Sequence, residues 1–123
     1  MNLDFSPEEQ QFQQEIRAWM QANVPGLAKP GAMGHSSREA QMAWEQKLGE
    51  KGWLASSWPT EFGGPGWNAT RQHIFDEERA AAGGSITSPF GLTMLAPVLM
   101  KFGSPAQQQR FVPKIAKCDE LWC

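Results

Sequence analysis

Tyrosine is absent from the 123 residues, and cysteine and histidine occur only twice each. Cys118 and Cys123 stand five apart near the C-terminus, which is neither the spacing of a redox pair nor that of a zinc knuckle. That excludes a disulfide framework as the source of stability and points to a reducing, cytoplasmic setting. His35 and His73 lie far apart, with only Asp76 and Glu77 near His73, so no metal-ligand spacing arises and both read as exposed structural histidines. A basic excess is missing as well: 11 Lys and Arg against 13 Asp and Glu give a net charge of −2, which removes nucleic acid and anionic membrane as partners. No apolar run reaches the ~20 residues of a bilayer span, because Phe90 to Met100 is about half that length. The N-terminus lacks the basic and then apolar order of a secretory leader. Gly63, Gly64 and Gly66 follow no apolar strand and precede no suitably placed lysine, so they predict a tight turn rather than a phosphate loop.

What remains is an ordinary globular mixture, 41% hydrophobic and 20% charged, in a chain long enough for a single core without staples. Helix starts dominate its pattern. Ser6, Pro7 and Glu9 form a capping box, and Phe12, Ile16, Trp19 and Met20 then share a face, with Gln10, Gln13, Gln14 and Arg17 toward water, until Val24 and Pro25. A Gly/Pro loop over 25–35 leads to a second box at Ser36 and Glu39. Ala40, Ala43, Trp44 and Leu48 line the helix that follows, and Gly52 offers a left-handed stop. Trp53 to Gly66 fits neither helical nor strand periodicity and predicts an ordered loop whose Trp58, with Trp67 beyond it, folds onto the helices.

Asn68 caps a third helix carrying Ile74, Phe75, Ala81 and Ala82, stopped by Gly83 and Gly84. Ser88 and Pro89 open a fourth, apolar nearly all round through Leu92, Met94, Leu95, Val98, Leu99 and Met100; that pattern places it at the bundle centre, kinked where Pro97 removes the bond to the Thr93 carbonyl. Gly103 ends it. Ser104, Pro105 and Gln107 start a fifth helix with Gln108, Arg110, Phe111 and Val112, which Pro113 breaks or kinks before a final turn from Ile115 to Lys117. Leu121, Trp122 and Cys123 read as the start of a strand with no partner upstream, hence as the front of a longer chain. The expected fold is all-α, an orthogonal or up-down bundle of about five to six helices over 1–119, with 120–123 opening a β domain.

Nothing in this pattern converges on catalysis. Glu78 falls on the inner side of the third helix and calls for a salt bridge to an arginine such as Arg71 or Arg110. Lys114 and Lys117 are expected to lower the Cys118 pKa slightly, and both thiols read as unreactive.

Three blocks carry a family resemblance. Leu3 to Gln10, then Lys51-Gly52-Trp53-Leu54 with Trp58-Pro59-Thr60-Glu61-Phe62-Gly63-Gly64-Pro65-Gly66, then Phe102 to Ile115, together resemble the N-terminal helical domain of the flavin-dependent acyl-CoA dehydrogenases. The resemblance covers essentially the whole chain. It implies α,β-dehydrogenation of an acyl-CoA thioester, with hydride passing to FAD and a glutamate taking the α-proton. Flavin contacts are expected just after Cys123 and the base in a distant back domain, so no catalytic, cofactor-binding or metal residue is expected in this segment. By position, Ser88, Phe90, Gly91, Met94 and Leu95 are implied as one wall of the acyl pocket. Electron-transfer flavoprotein is implied as the parent enzyme's partner, and a homo- or hetero-oligomer, dimer or tetramer, as its state. An acyl-CoA oxidase or flavin monooxygenase sharing this front domain, and a stand-alone helical interaction module, remain open alternatives. A truncated domain is expected to expose apolar surface and to self-associate or bind a hydrophobic dye.

Overall fold

The computed structural model describes residues 4–24, 38–84 and 87–122. The Gly/Pro loop, His35, the Ser36 cap and Cys123 lie outside them. Among the described residues there are five α-helices: α1 (Pro7–Asn23), α2 (Arg38–Lys51), α3 (Ala69–Ala82), α4 (Ala96–Phe102), entered through a π-helical stretch Phe90–Leu95, and α5 (Pro105–Lys117), with a short 3-10 turn at Thr60–Phe62. No strand occurs among the described residues, Leu121 and Trp122 included.

Local chemistry sets the ends as expected. Ser6 Oγ accepts from the Glu9 N–H at 3.2 Å while Glu9 Oε1 accepts from the Ser6 N–H, and Ser104 and Gln107 repeat the exchange on α5. Asn68 Oδ1 accepts from the Arg71 N–H at 2.9 Å. Gly52 at φ +79° closes α2 in the left-handed region, with the Trp53 N–H returning to the Leu48 carbonyl at 2.9 Å. At the end of α5 the same conformation falls on a non-glycine residue, Cys118 at φ 56°.

α1 packs on α3, and α5 packs on α2, α4 and the π-helical stretch. Between them lies an aromatic cluster: Trp67 meets Phe12 edge-on at 5.1 Å and Phe75 at 5.2 Å, while Trp53 meets Trp19 at 5.1 Å. Such pairs add ~0.5–1.5 kcal/mol each beyond the area they bury. The loop tryptophans therefore fold onto the helices, as the sequence predicts.

Three expectations are corrected. The helix from Phe90 to Phe102 is not central. Gly91, Leu92 and Ala96 are buried, yet Phe90, Met94, Val98 and Phe102 are 47%, 59%, 54% and 76% exposed. Indole and phenyl rings already fill the interior, so this helix lies at the periphery with its small residues inward. Pro113 neither breaks nor ends α5, which runs on to Lys117. The Gln109 carbonyl that the proline leaves without a donor sits on an exposed residue, where water can serve it. Glu78 pairs with neither Arg71 nor Arg110. Arg17 of α1 holds it bidentately, Nη2 to Oε1 at 2.7 Å and Nε to Oε2 at 3.0 Å, and Gln13 Nε2 adds a bond at 3.2 Å.

That pairing has a pH signature. The hydrogen bond from Arg17 holds the Glu78 carboxyl below its ordinary value of 4.5; burial opposes the shift, while the charge of Arg17 and the bond from Gln13 add to it. A depressed folded-state pKa gives stability that is complete above the unfolded value and is lost as pH falls through the folded one. Acid titration of unfolding should therefore show the wild type losing stability below about pH 4.5 more steeply than Glu78→Gln. Equal slopes would deny the pair this role.

Candidate functional site

Among the described residues, the helix from Phe90 to Phe102 is the element that turns large apolar side chains outward in a row. Phe90, Met94, Val98 and Phe102 recur every four residues, and all four are turned outward. Beside them an open cleft of about 510 Å³ runs past Ser57, Trp58, Leu92, Thr93, Pro97 and Lys101.

The backbone here is unusual for a specific reason. The Ala96 N–H bonds the Gly91 carbonyl, five residues back, so the chain is wound one residue wider than an α-helix. The Leu92 carbonyl thereby loses its α-helical donor, Ala96, and its π-helical donor would be Pro97, which has no N–H. Trp58 Nε1 takes the place of both, donating to that carbonyl at 2.9 Å. Pro97 itself falls in the first turn of α4, where a proline is tolerated. The expected kink is thus a change of helical register, tied down by a tryptophan from the 53–67 loop.

The five residues implied as a pocket wall do not share one surface. Phe90 and Met94 face outward, and Leu95 is half-buried. Gly91 is turned into the protein, where a Cβ would lie 3.1 Å from Ile115 Cγ2 and 3.3 Å from Trp122 Cδ1. Ser88 is half-buried and gives its N–H to Glu45 Oε1.

Glu45 is the residue that sequence reasoning missed. It stands on α2 at 2% exposure, between the buried Trp44 and Leu48, and its carboxylate accepts from Gln41 Nε2 at 2.9 Å, from the Ser88 N–H and from Cys118 Sγ at 3.4 Å. The available signal was positional: Glu45 shares a face with Trp44, Leu48 and Gly49, which are all buried, whereas the expected Ala43 faces water. Cys118 is corrected in the same stroke. Burial, reinforced by the charge and hydrogen bond of Glu45 and by Asp119, pushes its thiol up to about 12, whereas Lys114 and Lys117 were expected to lower it. In a Cys123→Ser background the native protein should resist iodoacetamide at pH 8 and react only when unfolded. Rapid native labelling would contradict the buried, raised thiol.

A second groove, of about 450 Å³, lies among Ala55, Phe62, Val112, Pro113 and Lys117 and contains none of the expected wall residues. Among the described residues no group of His, Cys, Asp and Glu could hold a metal, and no helix is long and apolar enough to cross a membrane. His73 is exposed and pairs with Glu77 at 3.3 Å. Nor does the glycine-rich turn form a phosphate cradle. The Gly64 N–H bonds the Pro59 carbonyl at 3.1 Å, and the Gly64 Cα lies so near the Trp58 carbonyl that a Cβ would come within 1.8 Å of its oxygen. The turn closes on its own backbone.

The family profile described as acyl-CoA dehydrogenase, N-terminal domain, matches residues 6–119, and the chain belongs to that family. It is 38% identical over 124 residues to the acyl-CoA dehydrogenase IpdE1 of Mycolicibacterium smegmatis, covering 94% of this chain and 31% of that protein. Against the acyl-CoA dehydrogenase FadE26 of Mycobacterium tuberculosis it is 32% identical over 128 residues, covering 97% of this chain and 30% of the relative. Among solved structures it superposes on the Tcur3481-Tcur3483 steroid ACAD with a TM-score of 0.75 at 27% identity, covering 98% of this chain and 32% of that one. On the ChsE4-ChsE5 complex from Mycobacterium tuberculosis the TM-score is 0.72 at 27% identity, covering 98% and 30%. The chain thus spans under a third of the length of these relatives.

Proposed function

We propose that the chain serves as the front domain, 1–119, of an FAD-dependent acyl-CoA dehydrogenase, with 120–123 leading into a β domain, and that its outward face at Phe90 and Met94 forms one wall of the acyl pocket. The observation that carries this reading is the row of exposed apolar side chains on a helix of this family's front domain. Four large apolar groups held toward water at spacings of four are costly unless something apolar covers them. Ser88, Gly91 and Leu95 act behind that wall rather than on it: Gly91 lets the helix approach Ile115, and the Ser88 N–H is held from α2. The flavin and the proton-abstracting glutamate belong to the remainder of the parent enzyme, and FAD when bound there supplies the hydride acceptor. This segment alone is catalytically silent.

A structural neighbour is titled a steroid ACAD, which supports a bulky, steroid-derived acyl group as the parent's substrate. Two neighbours are titled as two-protein assemblies, which supports pairing of the parent with a second dehydrogenase subunit. Electron-transfer flavoprotein is the proposed electron acceptor. The test uses the full-length parent under anaerobic conditions: steroid-derived and straight-chain acyl-CoA thioesters are added and loss of flavin absorbance is followed. Bleaching by the bulky thioester supports the reading; a colourless protein, or one bleached by neither, overturns it. Rapid oxygen consumption without another acceptor would move the assignment to an oxidase.

A further inference from the structure

The carboxylate of Glu45 is buried in a chain with no evident catalytic use for it. Its partners Gln41, Ser88 and Cys118 are all neutral donors, and they come from α2 itself, from the segment that opens the π-helical stretch, and from the C-cap of α5. A buried charge whose partners among the described residues are neutral donors is costly, and an apolar side chain of similar volume would fill the site more cheaply. What an apolar side chain lacks is two acceptor oxygens pointing to two separate elements. Oε1 takes the Ser88 N–H and Oε2 takes the Cys118 thiol, while Gln46 Nε2 on the same helix bonds the Cys118 carbonyl at 3.2 Å. Gly49, one turn further on, lets α2 touch α5 closely: a Cβ there would sit 2.8 Å from Lys117 Cα. Helix α2 therefore grips the end of α5 at three points, and Glu45 extends that grip to Ser88.

Ser88 stands two residues before Phe90 and six before Met94. The π-helical stretch between them is an irregular winding that starts without a side-chain cap at Pro89, so its start needs a reference point from outside. We propose that Glu45 is a positioning residue for the apolar wall: through Ser88 it fixes where the π-helical turn begins, and hence how far Phe90 and Met94 project. The inference rests on the dehydrogenase reading for its consequence, a selectivity among acyl groups, but not for the latch itself.

The test uses the full-length parent with Glu45→Ala, Glu45→Gln and Glu45→Asp, and has two readouts. Hydrogen exchange at Ser88 reports the latch; kcat and KM for a bulky and a straight-chain acyl-CoA report the wall. Glu45→Ala should speed Ser88 exchange at least tenfold and change the ratio of kcat/KM for the two substrates several-fold through KM, with kcat nearly kept. Glu45→Gln, which still offers one carbonyl oxygen to Ser88, should restore both. Glu45→Asp keeps the charge but shortens the reach by one methylene, so it should shift both readouts in the direction of alanine and serves if the alanine variant does not fold. A folded alanine or aspartate variant with an unchanged substrate ratio overturns the positioning role, and unchanged Ser88 exchange overturns the latch. A wild-type parent that no acyl-CoA bleaches ends the dehydrogenase reading and the selectivity role with it, whereas Ser88 exchange still decides the latch.

Discussion

Gly64→Ala should be among the most damaging single-methyl changes in this chain, lowering stability by about 3 kcal/mol. The added Cβ would lie 1.8 Å from the Trp58 carbonyl oxygen and 2.6 Å from its carbon, and both are backbone atoms that cannot swing aside as a side-chain tip can. Relief requires the Trp58-Pro59 peptide to move, and Trp58 is fixed at its other end by the bond from its indole to the Leu92 carbonyl. The strain therefore spreads from the turn to the π-helical stretch. Gly52→Ala is the control: its φ of +79° is unfavourable for alanine, but nothing lies within 4 Å of the new Cβ. Its cost should stay at about 1–2 kcal/mol, the local left-handed penalty. Urea unfolding of both variants, followed by tryptophan fluorescence, gives the comparison. If Gly64→Ala were no worse than Gly52→Ala, close approach at the turn would not be what the glycine is for.

The contrast between these glycines marks what sequence can and cannot show. Caps are local: Ser6 with Glu9, Asn68 with Arg71, and Gly52 after Leu48 are each settled within a few residues, and all stand where the sequence puts them. The family resemblance was equally legible, because its blocks lie in the turn and the helix start that geometry constrains most. Depth was not. A helix apolar on every side reads as central, yet its place depends on which other side chains compete for the interior, and here six aromatic rings contributed by α1, α2, α3 and the 53–67 loop occupy it. Partners across helices were hidden for the same reason. Glu78 was visible as a buried acid, but choosing Arg17 over Arg71 or Arg110 requires the register of α1 on α3. Glu45 escaped because its charge outweighed its place on the face of Trp44 and Leu48, and the approach of Cys118 and Ser88 supplies the donors that make its burial possible.

Trp58→Phe should cost about 3 kcal/mol, more than the lost packing alone, because it strands the Leu92 carbonyl in a buried site. Trp58 is 6% exposed and Leu92 7%, so most of both residues is already out of water. The carbonyl needs that donor only because the Ala96 N–H is committed to Gly91 and residue 97 has none. Pro97→Ala restores a backbone N–H five residues beyond Leu92, the position that a π-helical turn uses. In that background the phenylalanine substitution should be less harmful by about 1 kcal/mol, a coupling typical of groups sharing one hydrogen-bond partner. The double-mutant cycle, read by urea unfolding, separates this account from simple packing. Costs that add within about 0.5 kcal/mol would mean that Trp58 acts by volume alone. A coupling of the expected sign would make Trp58 and Pro97 one device, in which the proline frees a carbonyl and the tryptophan claims it, so that the helix with the outward apolar face is joined to the loop of the glycine-rich turn by a hydrogen bond no continuous α-helix could offer.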